Sequence, residues 1–168
     1  PALILFSSGT TGIPKCVPLS LQNIWVNIEK FNSLLDISKE DTFLCTSPLW
    51  YSHGLYNSFL TSLALGGKII FGGILNITNA KKILTIAHKN RATVYHITPS
   101  MLPILSLIGC RMSGKIPILK HVICGTAKLS LSEKEKFENI FKISVKQQYG
   151  MTETLFMTVN SKTQKIKT

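Results

Sequence analysis

Short apolar runs alternate along the chain with longer stretches whose apolar residues recur three or four positions apart. The runs predict strands at 2–6, 42–46, 68–71, 93–96, 119–124 and 144–148. The first of these, with five apolar residues in a row, reads as a buried strand. The longer stretches predict helices at 19–35, 55–65, 79–88, 99–108 and 130–141. In the first, Ile24, Ile28, Phe31, Leu34 and Leu35 fall near helical spacing, and Ser20 is placed to cap it. Gly66 and Gly67 stop the second helix, and Pro99 suits the opening turn of the fourth. Ser130 with Glu133, or Ser132 with Glu135, has the spacing of a capping box for the last. Strands separated by helices of this length imply an α/β fold, a mostly parallel sheet flanked by helices with right-handed crossovers. In such sheets ligands gather at the carboxyl ends of the strands.

Every chemically unusual segment follows a predicted strand. The first is Phe6-Ser7-Ser8-Gly9-Thr10-Thr11-Gly12-Ile13-Pro14-Lys15. Glycines bring backbone N–H groups close to a ligand, hydroxyls donate to phosphate oxygens, and a lysine adds a mobile charge. The segment therefore suits a polyanion. It is not a Walker loop, because Gly9 and Gly12 are too close and Cys16 follows Lys15.

Three further segments carry chemistry. Pro48-Leu49-Trp50-Tyr51-Ser52-His53-Gly54-Leu55 is rich in aromatics and holds one imidazole; an aromatic loop packed on the core is the simpler reading of it alone. Gly125-Thr126-Ala127 follows a strand and allows close backbone approach to a flat ligand. In Gln147-Gln148-Tyr149-Gly150-Met151-Thr152-Glu153-Thr154, Tyr149 offers a stacking face and Gly150 permits a sharp turn. There Thr152 can bond a phosphate and Glu153 can hold Mg²⁺ through oxygen. Thr98-Pro99-Ser100 is equally a site border or an ordinary strand-to-helix turn.

Taken together and in order, these segments resemble the adenylate-forming, AMP-binding superfamily: acyl-CoA synthetases, aryl-CoA ligases, luciferases and peptide-synthetase adenylation domains. The first matches that family's signature loop, with Ser7 in place of its first Thr and Cys16 in place of its last Gly. Tyr149-Gly150-Met151-Thr152-Glu153 matches its Tyr-Gly-x-Thr-Glu motif without change. In the aromatic segment Tyr51 stands where the family commonly has His, and His53 falls two positions later. The resemblance implies a part of the large N-terminal domain of an acyl-CoA synthetase-like enzyme, without the small C-terminal domain. It implies ATP-dependent activation of a carboxylic acid to an acyl-adenylate, then transfer to the thiol of CoA or of a carrier protein.

The same resemblance implies the site. Ser7, Ser8, Gly9, Thr10, Thr11, Gly12 and Lys15 would steady the phosphates of ATP. Gly125, Thr126, Ala127, Tyr149 and Gly150 would frame the adenine, Thr152 would meet the α-phosphate, and Glu153 would hold Mg²⁺. Lys15, Thr152 and Glu153 are the catalytic candidates. Trp50, Tyr51, His53, Pro99 and Ser100 would border the acid. The stretches 50–59 and 98–102 are largely apolar, so a fatty or other apolar acid is expected.

Composition changes the picture little. At 168 residues, 45% hydrophobic and 16% charged, the chain can build one core. It opens at Pro1 without Met, which reads as a piece of a larger protein, and alone it is expected to be inactive. The net charge of +11 would attract an anion such as ATP or CoA. Nucleic acid is the competing partner, but the lysines are scattered and the only arginines, Arg91 and Arg111, lie apart. Cys16, Cys45, Cys110 and Cys124 have no metal or redox spacing, so free thiols in a reducing, cytoplasmic setting are expected. No run reaches the ~18 apolar residues of a membrane span. A peptide-synthetase-type domain would need an Asp for its amino acid, and the only aspartates are Asp36 and Asp41, both before the aromatic segment. An inactive nucleotide-binding remnant is the non-enzymatic alternative.

Overall fold

The computed structural model describes residues 1–7, 13–112, 114 and 116–160. Its centre is a six-stranded sheet in the order β4-β3-β5-β6-β7-β8. The strands are β3 (Thr42–Cys45), β4 (Lys68–Phe71), β5 (Val94–Ile97), β6 (His121–Cys124), β7 (Val145–Met151) and β8 (Leu155–Val159). The first five run parallel and β8 returns antiparallel to β7. The α/β architecture expected from the alternation is therefore present.

Central strands here are apolar on both faces, because each face has its own core. Phe43, Val94 and Ile123 point to one side, where they meet Ile24, Ile28 and Phe31 of helix α1 (Leu21–Leu35) and Tyr56. Leu44, Tyr95 and Val122 point to the other, against helices α3 (Ala80–Lys89), α4 (Met101–Gly109) and α5 (Leu131–Phe141). The helix between β3 and β4 is wound in two ways. Residues His53–Leu60 form a π-helix, and Thr61–Leu65 continue it as α2. The Tyr56 carbonyl accepts from the Thr61 N–H five residues on, as a π turn requires, and also from the Thr61 hydroxyl at 2.8 Å.

Five expectations need correction. The first strand, β1 (Leu3–Ser7), does not enter the main sheet. It pairs antiparallel with β2 (Lys15–Leu19), and is only half buried, since Phe6 is 71% exposed. Leu19 therefore belongs to a strand, α1 begins at Leu21, and Leu34 faces outward. The capping box forms at α1, where Ser20 and Asn23 exchange hydrogen bonds, and not at α5, where Ser130 and Ser132 pair with each other instead. Helix α4 starts at Met101 and not at Pro99. The last predicted strand runs three residues further, through Tyr149-Gly150-Met151, and a hairpin carries it into β8.

Candidate functional site

That hairpin shapes the site. Met151 and Leu155 pair across it, and the Thr154 N–H donates to the Met151 carbonyl at 3.2 Å. Thr152 and Glu153 thus sit at the tip of a closed turn at the carboxyl end of β7. Leu155 has φ of 59°, the left-handed region, and a bulge lies between Tyr149 and Gly150. Gly150 is required by this geometry. A Cβ there would overlap the Leu155 carbonyl oxygen and come within 3.1 Å of its carbon.

Helix α1 holds the returning strand. Asn27 accepts from the Phe156 N–H at 3.1 Å and donates to the Phe156 carbonyl at 2.8 Å, as a neighbouring strand would. The Tyr56 hydroxyl donates to the same Asn27 oxygen at 2.7 Å. One amide therefore ties α1, the π-helix and β8 together. Nothing in the local sequence around Asn27 marks it for this, because its partners lie far along the chain.

The hairpin tip also meets the start of the glycine-rich segment. The Ser7 hydroxyl donates to Glu153 Oε1 at 3.5 Å, a long hydrogen bond across 146 residues. Ser8, Gly9, Thr10, Thr11 and Gly12 lie outside the described residues. Lys15 lies on β2, directly across from Ser7. Glu153 also borders an open groove with Pro18, Gln22, Asn23 and Lys30.

Behind the hairpin is a cavity of about 180 Å³ lined by Tyr51, Ser52, His53, Tyr56, Asn57, Thr126, Gln148, Gly150, Met151, Thr152 and Leu155. It collects residues from the ends of β3, β6 and β7. Of the predicted site residues it brings together Tyr51, His53, Thr126, Gly150 and Thr152. Trp50 does not join them and is 82% exposed. Pro99 and Ser100 are not in its wall, and the Ser100 hydroxyl is paired with that of Thr98 at 2.9 Å. Tyr149 alternates with Gln148 and Gly150 along β7, and its ring is exposed. Gly125 donates its N–H to the Ile97 carbonyl at 3.2 Å, and Thr126 has φ of 78°. Ala127 lies in the exposed turn that follows.

Burial governs the imidazole. His53 is pinned where β3 ends, because Gly54 presses on the Ser47 and Pro48 carbonyls with no room for a side chain. Its Nδ1 is 3.0 Å from the Ser47 hydroxyl. Desolvation lowers its pKa to about 4, so the ring is neutral at physiological pH. His96, on β5, has its ring centroid 6.4 Å from that of His53. Its pKa is also held well below normal by desolvation and then by the neighbouring imidazoles. Sequence reasoning missed Asn57 and Gln148, which share the cavity wall. Gln148 was legible as part of a motif, but only the parallel β6–β7 register sets it beside Gly125.

A metal ion could be held here through Glu153. Among the described residues no three His, Cys, Asp or Glu side chains cluster as a metal cage. One carboxylate fits a hard ion such as Mg²⁺, which keeps waters and takes further oxygens from phosphates.

Comparisons with known proteins agree with this architecture. The family model described as AMP-binding enzyme matches residues 1–168. The 4-coumarate–CoA ligase-like protein 8 of Arabidopsis thaliana is 31% identical over 156 residues, which is 91% of this chain and 28% of that protein. The human beta-alanine-activating enzyme is 33% identical over 101 residues, 60% of this chain and 9% of its own. A malonyl-CoA ligase solved as a ternary product complex with methylmalonyl-CoA and AMP superposes with a TM-score of 0.82 at 25% identity. That match covers 95% of this chain and 34% of the ligase. The chain thus spans under a third of the length of the plant ligase it matches. With its full length matched by one family model, and its fold shared with a solved ligase, the chain belongs to the AMP-binding enzymes.

Proposed function

We propose that the intact protein is an acid–thiol ligase that activates a carboxylic acid with ATP and passes the acyl group to CoA. The observation that carries this is the meeting of Ser7 and Glu153 at the hairpin tip. The entrance of the polyanion loop and a carboxylate suited to Mg²⁺ lie side by side, with the cavity next to them. In the first half-reaction an acid oxygen bonds to the α-phosphorus and the bond to pyrophosphate breaks. In the second a thiol, losing its proton, bonds to the acyl carbon and AMP leaves. The protein needs no nucleophile of its own; it positions the reactants and offsets charge.

On this reading Ser7, Ser8, Gly9, Thr10, Thr11, Gly12 and Lys15 would hold the departing pyrophosphate, and Glu153 would hold Mg²⁺, which would neutralise phosphate charge. Thr152 meets the α-phosphate. Gly125, Thr126, Ala127, Tyr149 and Gly150 face the adenine, and Tyr51 and His53 face the acid. The neutral state of His53 makes it a wall or hydrogen-bonding group, not a base. Tyr56, Met151 and Leu155 give the cavity an apolar portion, in keeping with an acid that has an apolar body. The described cysteines are all free, in keeping with a reducing compartment such as the cytoplasm. No described helix is long and apolar enough to cross a membrane.

The test is acid-dependent exchange of labelled pyrophosphate into ATP by the intact protein, followed by thioester formation with CoA. Exchange with aliphatic or aromatic acids is expected. No exchange across such a panel would favour the nucleotide-binding remnant. Exchange without a CoA thioester would move the acceptor to a carrier-protein thiol.

A further inference from the structure

The amide of Asn27 is used to its full capacity. Its Oδ1 accepts from the Phe156 N–H at 3.1 Å and from the Tyr56 hydroxyl at 2.7 Å. Its Nδ2 donates to the Phe156 carbonyl at 2.8 Å and, at a longer 3.4 Å, to the Thr154 carbonyl. Two lone pairs and two N–H groups are all that a primary amide has. The Phe156 N–H can only donate, so it fixes which end of the amide faces which way. No other side chain of this length offers two accepting and two donating positions from one planar group.

The backbone that it grips is the strained part of the hairpin. Thr154 and Phe156 flank Leu155, whose φ of 59° lies in the left-handed region. A leucine is disfavoured there and persists only where its surroundings hold it. The bonds from Asn27 fall on both sides of it. Packing and pairing already place β8 without them. The Phe156 ring stacks on Phe31 at 3.7 Å between centroids and packs on Tyr56 at 5.1 Å, and the strand pairs with β7. What the amide adds is a fixed position for the Thr154 carbonyl, one residue from Glu153. Asn27 and Glu153 also border the same open groove.

The other end of this network is the cavity wall. Tyr56 is buried, lines the cavity and stands on the π-helix that His53 opens. Burial pushes its phenol above the usual range, so its hydroxyl remains a donor to Asn27. We propose that Asn27 is a positioning residue for adenylation, holding the hairpin tip so that Glu153 presents its carboxylate to a metal–nucleotide complex. This rests on the reading of Glu153 as the Mg²⁺-holding carboxylate of an acid-activating ligase. It adds a residue of helix α1, outside every sequence motif, that acts through the backbone of the tip.

The experiment uses the intact protein, with Mn²⁺ as the metal probe because it takes the same oxygen donors as Mg²⁺. Calorimetric titration gives the affinities for Mn²⁺–ATP and for metal-free ATP, and their ratio isolates the metal contact. A urea melt of each variant reports folding. In Asn27→Ala the ratio should fall about tenfold, the scale of one lost hydrogen bond, while metal-free ATP binding stays within about twofold of wild type. Asn27→Leu combined with Tyr56→Phe replaces both partners by apolar groups of similar shape, so it leaves no hydroxyl stranded and should recover stability. Its ratio should remain about tenfold low, which separates positioning from stability and decides the matter if Asn27→Ala fails to fold. Glu153→Ala is the reference and should remove the advantage of the metal complex. A wild-type ratio in the folded Asn27 variants, with Glu153→Ala still deficient, would overturn the role of Asn27 and leave the metal reading intact. A wild type that binds Mn²⁺–ATP no better than metal-free ATP, or a Glu153→Ala variant with the wild-type ratio, would overturn the metal reading and this inference with it.

Discussion

Replacing Gly150 by alanine tests whether the hairpin geometry is functional. Gly150 is not in the left-handed region, so backbone strain is not the issue. Space is. The added methyl would overlap the Leu155 carbonyl oxygen, which belongs to backbone and cannot rotate away. Leu155 itself is held in the left-handed region and pairs with Met151. The two arms of the hairpin must therefore part by about 1 Å or more. Overpacking of this kind typically costs about 1–3 kcal/mol in stability. The catalytic loss should be larger than the stability loss suggests. Thr152 and Glu153 ride on the turn that is pushed, and a displacement of about 1 Å can lower a rate by roughly 10²-fold. The assay is acid-dependent pyrophosphate exchange by intact Gly150→Ala, beside a urea melt of the same protein. A folded variant with exchange reduced about 10²-fold is expected. Wild-type exchange with an unchanged urea midpoint would show that the hairpin accommodates a side chain, and that the tight packing around Gly150 has no role in placing the tip.

Three other outcomes are expected. Glu153→Ala should lower acid-dependent exchange by about 10²–10³-fold, by analogy with a lost transition-state donor; wild-type rates across a Mg²⁺ titration would remove Glu153 from metal binding. Asn27→Ala should cost about 1–3 kcal/mol in a urea melt, because the Phe156 backbone and the Tyr56 hydroxyl lose their partner; an unchanged midpoint would mean water replaces the amide. Stability should fall as pH drops from 6.5 towards 4, because His53 stays neutral when folded to about pH 4 while the unfolded ring takes up a proton near 6.5. The full difference is about 3 kcal/mol for His53, with His96 acting in the same direction. His53→Gln should flatten the pH dependence of the urea midpoint, and an equally steep dependence in the variant would assign it elsewhere.

The parts of this fold that local pattern reveals are those whose partners are interchangeable. Any buried strand of a parallel sheet looks like 42–46 or 119–124, so the α/β class follows from alternation alone. The parts that local pattern misses depend on one distant partner. Strand β2 contains Pro18 and an exposed Lys15 and Cys16, so its residues read as loop; only pairing with β1 makes them a strand. Strand β8 is short and follows a motif, and its place is set by β7 and by Asn27. The π turns at 53–60 open where Gly54 packs on the Ser47 and Pro48 carbonyls, and no periodicity announces them. The capping box shows the same limit from the other side. Ser130 and Glu133 have the right spacing, but Ser132 competes for the Ser130 hydroxyl and is the partner it takes. Of the motif residues, Tyr51, His53, Thr126, Gly150 and Thr152 share one wall, while Trp50, Pro99 and Ser100 do not line it.

The two edges of the sheet handle polar groups in opposite ways. At the amino-terminal edge Asp41 is buried, and every partner it needs is present. It accepts from the Ser38 N–H at 3.0 Å, the Thr93 hydroxyl at 2.9 Å and Lys120 at 3.3 Å, joining β3, β5 and β6. Burial works to raise its pKa, but those hydrogen bonds and the lysine outweigh it, so the carboxyl sits below its usual value. A group so fully paired is a brace. At the carboxyl-terminal edge the pairing stops short. Gln148 Oε1 has no partner among the described residues, His53 Nε2 has none in full hydrogen-bonding geometry although the Ile97 backbone lies beside the ring, and Glu153 has only a long bond from Ser7. Buried polar groups are ordinarily satisfied, and the unsatisfied ones here belong to residues that line the cavity. Other buried atoms, such as Ser62 Oγ and Ser106 Oγ, are also unpaired but line no cavity. The distinction therefore lies in the combination of unpaired polarity and open space. In the described chain that combination occurs at the β3, β6 and β7 ends, where the motif residues also converge.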